Sequence, residues 1–385
     1  MSTHRVVCLL ALAVGGSALS SCTPAIDAEG QRPPVSDVPT GTVAPAGSMA
    51  VPRSAHTATT LPDGRVLIAG GMTGGGGSAA GAELFDPRTG EFQIAGRMVT
   101  PRYSHSATVV PGLGVLIAGG YDGRGTYLQS AELYDPATGT FRALPAMTTA
   151  RAGHAAVPLA DGRVLLVGGV GTGWTFLASA ELFDPATGAF SPTGGMAVAR
   201  ESHVAVRLLD GRVLVVGGHR GRQQAIELFT STEIYDPAVG RFAPTGAMQV
   251  RRHKHDAVLL QDGRVLVTGG SDERDSRGVY SSTEIFDPVA GVFRAQASLQ
   301  VPRYKHAASS VLLPDGRVLI GGGAGAAELY DPAMSRFLPV FGSDDLAGQF
   351  SATALLPGGR VLITGGYGVN PGATRNAWIY TPEGG

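Results

Sequence analysis

Six times in this chain an Arg stands three residues ahead of a His: Arg53/His56, Arg102/His105, Arg151/His154, Arg200/His203, Arg252/His255 and Arg303/His306. Repeated imidazoles raise the question of a metal, and repeated guanidinium groups the question of a partner. If each His sits on its own sheet, a shared ion is ruled out by distance. Packed sheets lie roughly 10 Å apart, while zinc ligands reach only about 2 Å. The histidines therefore read as structural, and no metal or other cofactor is expected. The partner of each Arg is a Glu that recurs farther along: Glu83, Glu132, Glu181, Glu233, Glu284 and Glu328. A seventh copy of the pattern puts Leu346 at the Arg position, Gln349 at the His position and Ala377 at the Glu position. Arg and Glu are lost together there, as expected if they touch. The Arg of the Asp-Gly-Arg triplets behaves differently: Gly114 replaces it where Glu132 is kept.

A second group of reactive side chains is clustered rather than repeated. His219, Arg220 and Arg222 fall in one loop, Arg251, His253 and Lys254 in the segment RRHKHD, and Tyr304 and Lys305 in PRYKH. Trp174 is the aromatic residue best suited to stack on a sugar ring. These nine residues form a candidate ligand patch, basic and partly aromatic, for an acidic protein segment or an anionic glycan.

The elements that position these residues follow from the repeat. Gly-Gly pairs begin at Gly70, Gly119, Gly168, Gly217, Gly269, Gly322 and Gly365, at intervals of 49, 49, 49, 52, 53 and 43 residues. Such a period means repeated units that bury their faces on one another. Within Arg151–Met196, Asp161-Gly162 predicts a two-residue type I′ hairpin turn, RVLLVGG a buried strand, AELF a third strand and DPATG a turn. Phe190 marks a fourth strand; Phe92, Phe141, Phe242, Phe293 and Phe337 are its counterparts. Four antiparallel strands per period predict an all-β, seven-bladed β-propeller. The loops after each Gly-Gly and the segments before each first strand should share one face, which is where the patch would lie.

The Gly-Gly pair, the aromatic-Asp-Pro turn and the fourth-strand aromatic together resemble the Kelch motif, from Gly41 to the C-terminus, with Phe where Trp is common. The ends also fit together. Gly41–Arg53 has the spacing of a fourth strand without the first three, and AWIYTP at Ala377–Pro382 is a third strand without a fourth. The N-terminal strand is expected to close the last blade beside Trp378–Tyr380 and remove two open edges.

Residues 1–21 read as a leader: Arg5, then VVCLLALAVGG, an apolar run too short for a permanent span. The following LSSC resembles a bacterial lipobox, which implies acylation (palmitate) at Cys22, a lipid anchor in the membrane and a place at the cell envelope, the outer membrane in a Gram-negative cell. Residues 22–40, with Pro24, Pro33, Pro34 and Pro39, read as a disordered tether, and residues 41–385 as the propeller. The formal net charge is −1 and gives no reason to expect nucleic acid. A monomer is expected.

Three functions compete. The first is a non-catalytic binding or interaction module for a protein or glycan ligand. The second, by resemblance to galactose oxidase, is a copper radical oxidase; that chemistry needs a Tyr crosslinked to a Cys, and only Cys8 and Cys22 exist. The third is a sugar-processing propeller such as a sialic acid mutarotase. No sialidase Asp-box is present, and no HExxH or phosphate loop. The binding module is preferred, with the mutarotase as the alternative.

Overall fold

The computed structural model describes residues 40–346, 348–368 and 372–383. The leader, Cys22 and the tether up to Pro39 lie outside them. Thr40 begins a compact unit built of seven four-stranded antiparallel sheets, a seven-bladed propeller. Blade three is typical: Ala155–Pro158 innermost, then Val164–Val167, Ala180–Asp184 and Ala189–Thr193.

The second strand of each blade is almost wholly apolar, Thr268 and Thr364 at two strand ends excepted, because both of its faces are covered. In blade three, Val164 and Leu166 pack into a cluster with blade two, and Leu165 and Val167 into one with blade four. Successive side chains point to opposite faces of a strand, so an unbroken apolar run is what a two-sided burial requires. Seven such clusters, one per junction between blades, form the core. On the third and fourth strands, directly opposed aromatics close the outer half of blades one to six; Phe183 and Phe190 have ring centroids 5.1 Å apart.

The ring closes as the sequence predicts. Thr42–Ser48 pairs antiparallel with Asn376–Thr381, Val43 opposite Tyr380 and Pro45 opposite Trp378. The last blade thus takes its outer strand from the N-terminal end of the domain.

The Asp-Gly turns depart from the expected type. Only the Gly has positive φ, 88° at Gly162; Asp161 does not. The Leu159 N–H donates to Arg163 O at 2.8 Å, and the Gly162 N–H to Leu159 O at 3.2 Å. This is the three-residue loop in which a left-handed glycine follows an ordinary turn. Asp161 is occupied differently: it accepts from the backbone N–H and the Nε of Arg163, at 3.1 and 2.8 Å.

Candidate functional site

All six Arg–Glu pairs form. Nη2 to Oε1 distances are 2.7 Å for Arg53–Glu83, 2.8 Å for Arg102–Glu132 and Arg151–Glu181, 3.1 Å for Arg200–Glu233 and Arg252–Glu284, and 2.6 Å for Arg303–Glu328. The six Arg side chains are wholly buried. Each carboxylate also accepts two backbone N–H groups of the segment entering its blade; for Glu181 these belong to Thr148 and Thr149. Each Arg Nη1 donates to the carbonyl of the first glycine in the blade's Gly-Gly pair, as Arg151 does to Gly168 at 2.8 Å. The pair therefore clamps the crossing between blades.

The motif histidines lie between neighbouring blades rather than gathering around an ion. His56 Nε2 meets Thr364 Oγ1 at 2.9 Å, His105 meets Thr57 at 3.2 Å, and His154 meets Ser106 at 2.9 Å. Each ring packs on the first glycine of the preceding blade. A Cβ at Gly168 would lie 2.6 Å from Cε1 of His203.

Blade seven requires a correction of two residues. Gln349 bridges to Tyr367 as Glu201 does to His219, and Gly323 N–H bonds Gly348 O as Gly218 bonds Arg252 O. Gly348 therefore holds the Arg position and Ser351 the His position, not Leu346 and Gln349. The Glu position is held by Trp378, which faces Ile363 as Glu181 faces Leu166; Ala377 matches Ala180. The joint loss stands, with Trp378 and Leu346 in one apolar cluster where other blades keep the ion pair. Gly322, whose following blade offers no His, is correspondingly not left-handed.

The residue before each motif His, and Phe350 in blade seven, encircles the channel mouth. Ala55, Ser104, Gly153, Ser202, Lys254, Lys305 and Phe350 have φ between 50° and 60°, a region that non-glycine residues seldom adopt. Around the ring, N–H groups bond the carbonyl of the preceding member: Ser104 to Ala55 at 3.1 Å, Lys305 to Lys254 at 2.8 Å, Phe350 to Lys305 at 2.8 Å, and so on. Among the described residues six such links form; only that from Ser202 to Gly153 is missing. The side chain of Glu201 lies over that gap, its Oε1 2.7 Å from where a Cβ of Gly153 would stand.

This mouth opens into a cavity of about 810 Å³. Its deeper wall on blades one, two and seven is small and uncharged, with Thr57, Thr59, Ser106, Thr108 and Thr353. Its charged rim rises from blades three to six. Short two-stranded extensions, Val170–Gly171 with Thr175–Phe176 and His219–Arg220 with Glu227–Leu228, carry Trp174 and Arg222. The Arg222 guanidinium lies 3.4 Å over the Trp174 ring, and Tyr127 meets that ring edge-on at 5.7 Å.

Of the nine patch residues, Trp174, His219, Arg222, His253, Lys254 and Lys305 line this cavity. Arg220, Arg251 and Tyr304 do not. Arg220 is held by Glu227 at 2.6 Å and Arg251 by Glu273 at 3.1 Å, both outside on the rim, and Tyr304 is buried. Lys254 pairs with Asp275 at 2.8 Å. The patch is thus far less basic than its composition suggests, because its loops bring their own carboxylates. Lys305 lies among aromatic rings and donates to the hydroxyls of Tyr367 and Tyr304 at 3.0 and 3.3 Å. Arg222 makes no ion pair among the described residues.

Glu201 and Asp275 belong to the cavity but escape a search for basic clusters. Glu201 could have been found by comparing repeats: the residue after each motif Arg is Ser54, Tyr103, Ala152, Glu201, His253 or Tyr304, a fixed place with changing chemistry. Burial pushes Glu201 up to about 7, against the pull of Lys254 and Arg222. Burial pushes His219 down to about 4 and His253 to about 3. The 3.6 Å approach of His219 Nε2 to Glu201 Oε2 is therefore no ion pair at neutral pH, because the imidazole is uncharged there.

The family model described as Kelch motif matches residues 101–148, that is, the second repeat. No curated protein matches the chain. A similar solved structure is that of a fungal alcohol oxidase with catalytic diversity among the AA5 family, in complex with copper. It is 16% identical, with a TM-score of 0.69, and the match covers 89% of this chain and 76% of that one. The likeness is one of fold. The propeller's own residues do not suit copper radical chemistry of the galactose oxidase kind: residues 40–385 contain no Cys to crosslink to one of their tyrosines.

Proposed function

We propose that this protein is a binding module, tethered to the cell envelope through an acylated Cys22, that takes an anionic ligand, glycan or peptide, in the mouth of its central channel without turning it over. The observation that carries the reading is Arg222. A guanidinium stacked on an indole keeps its in-plane N–H groups available for a carboxylate, and the flat ring is a surface for a sugar. The hydroxyl-bearing channel wall suits a polyhydroxylated body behind an acidic group. Titration of the detergent-purified full chain with N-acetylneuraminate, glucuronate and neutral glucose tests this. Saturable binding of the acids alone supports it; equal or absent binding of all three rejects it.

One observation favours a second reading, a sugar-processing propeller such as a sialic acid mutarotase. Glu201 is a carboxyl that exchanges its proton near neutral pH in the same cavity, which suits general acid–base work. Nuclear magnetic resonance of freshly dissolved N-acetylneuraminate separates the two, since faster anomer exchange with the protein would reject the non-catalytic reading.

The anchor has its own test. Replacing Cys22→Ser should abolish palmitate labelling and release the protein from membranes; continued labelling would rule the site out.

A further inference from the structure

Resting on the reading of the channel mouth as an anion site, we propose that Glu201 binds the ligand's carboxylate through a shared proton, so that the ligand enters together with one proton.

The placement of Glu201 is the first ground. It sits over the single gap in the backbone ring and lines the cavity that Arg222 and Trp174 overhang. Its side chain is 21% exposed, and it lines the cavity. An ordinary carboxylate there would repel an incoming acid.

The second ground is the charge around it. Arg222 and Lys254 both act on Glu201 electrostatically, yet burial outweighs them. Lys254 is already engaged by Asp275. From blade four His219 faces Glu201, with His253 of blade five behind it at 3.2 Å Nδ1 to Nδ1, and both imidazoles are neutral near pH 7. Tyr127 feels the same carboxyl and is pushed up to about 12, chiefly by burial, so it too is neutral. Glu273 lines the cavity as well and is tied to Arg251. Glu201 itself exchanges its proton near pH 7.

Two carboxyl groups brought together in a poorly solvated site cannot both ionise, and they hold one proton between them. The resulting O–H···O⁻ bond is charge-assisted and short. Arg222 would then neutralise the remaining negative charge. No bond other than the hydrogen bond forms or breaks, and the proton comes from water. The chemistry selects a carboxylic acid over a sulfate ester, which as a much weaker base shares a proton poorly.

The linkage has a definite sign. Binding raises the proton affinity of Glu201, so affinity is greatest below about pH 7 and falls as pH rises through the free protein's value. The slope approaches about tenfold per pH unit.

Isothermal titration of the full chain with N-acetylneuraminate and with glucuronate, in two buffers of different ionisation enthalpy, measures the proton directly. Uptake of a fraction of one proton near pH 7, rising toward one at pH 8, is expected for whichever acid binds. Glu201→Gln keeps a donor and loses the titration; it should bind with no proton uptake and a flat profile from pH 6 to 9. Should that variant fail to fold, as judged by circular dichroism, the wild-type proton count decides alone. Binding without proton uptake, or a Gln variant that keeps the wild-type slope, overturns the shared proton and leaves the binding module standing. No binding of either acid at any pH from 6 to 9 overturns both.

Discussion

The imidazole of His203, from blade four, lies against the backbone of Gly168, from blade three, so closely that a Cβ there would come within 2.6 Å of its Cε1 and 2.8 Å of Arg200 O. Gly168 is also left-handed, with φ of 65°. The Gly-Gly signature is thus an inter-blade contact read from one side. Gly168→Ala should cost about 2–4 kcal/mol, from backbone strain and overpacking together. Urea denaturation checks it, and a midpoint unchanged from wild type would contradict the contact.

The Arg151–Glu181 pair predicts coupling. Removing either partner leaves the other buried and uncompensated, at roughly 3–5 kcal/mol each. The double replacement should cost clearly less than the sum. Blade seven shows that the charged pair is dispensable as a unit, since Trp378 and Leu346 fill a cluster there with apolar surface alone. Strictly additive losses in a double-mutant cycle would argue against the clamp.

Much of this was legible in the sequence because it repeats. Six co-occurring Arg and Glu residues and one joint loss revealed the clamp, and the displaced strand at Val43 revealed the closure. The errors arose where repetition failed. Blade seven has lost both residues, so the Arg–His spacing alone places Leu346 and Gln349 there, each two residues ahead of the true positions, Gly348 and Ser351. The patch was misread for another reason. Arg220–Glu227 and Arg251–Glu273 are contacts within and between irregular loops, and no period encodes them. Blade six has two more residues between His306 and Asp315 than blade three has between His154 and Asp161, and no period encodes what they form: a turn capped by Asp256, which accepts the N–H groups of Ala308, Ser309 and Ser310 at 3.1, 3.0 and 2.7 Å.

Ring closure predicts the effect of deleting residues 41–53. The outer edge of Asn376–Thr381 would be exposed, and Glu83 would lose Arg53. The shortened chain should lose at least about 3–5 kcal/mol, the cost of leaving a buried ion without its partner, and so melt measurably lower or aggregate. An unchanged melting temperature would refute the closure.

Acid should unfold the domain abruptly. Burial pushes His56, His203 and His253 down to about 3 and His219 to about 4, and holds His105, His154, His255 and His306 well below the usual range. The unfolded chain binds these protons below about pH 6.5 and the folded one does not. Stability is therefore complete above that value and lost as pH falls. Each histidine contributes about 1.4 kcal/mol per pH unit in this window. A net stability of about 5–15 kcal/mol would be gone within roughly 1–2 units. Glu201 and Asp256, pushed up to about 7 and about 6, act in the opposite sense but are only two groups. A cooperative loss of circular dichroism near pH 5 is expected, and a native spectrum at pH 4 would show the histidines to be less buried than described.

The last prediction separates the cavity from its rim. Trp174 and Trp378 are the chain's two tryptophans, and Trp378 is buried in the core, so Trp378→Phe leaves Trp174 as the sole reporter. An anion held by Arg222 must alter the emission of the indole 3.4 Å beneath that guanidinium. In this background Arg222→Ala should weaken an acidic ligand by at least about tenfold, the loss of a charge-assisted contact. Arg220→Ala and Arg251→Ala should change affinity by less than about twofold, because exposed pairs contribute little and both cations already face a carboxylate. Raising salt should slow association in all four proteins, since screening acts over about 10 Å at 0.1 M. If Arg220→Ala or Arg251→Ala costs as much as Arg222→Ala, with Trp174 emission unmoved by ligand, the ligand sits on the outer rim and the channel mouth is not its site.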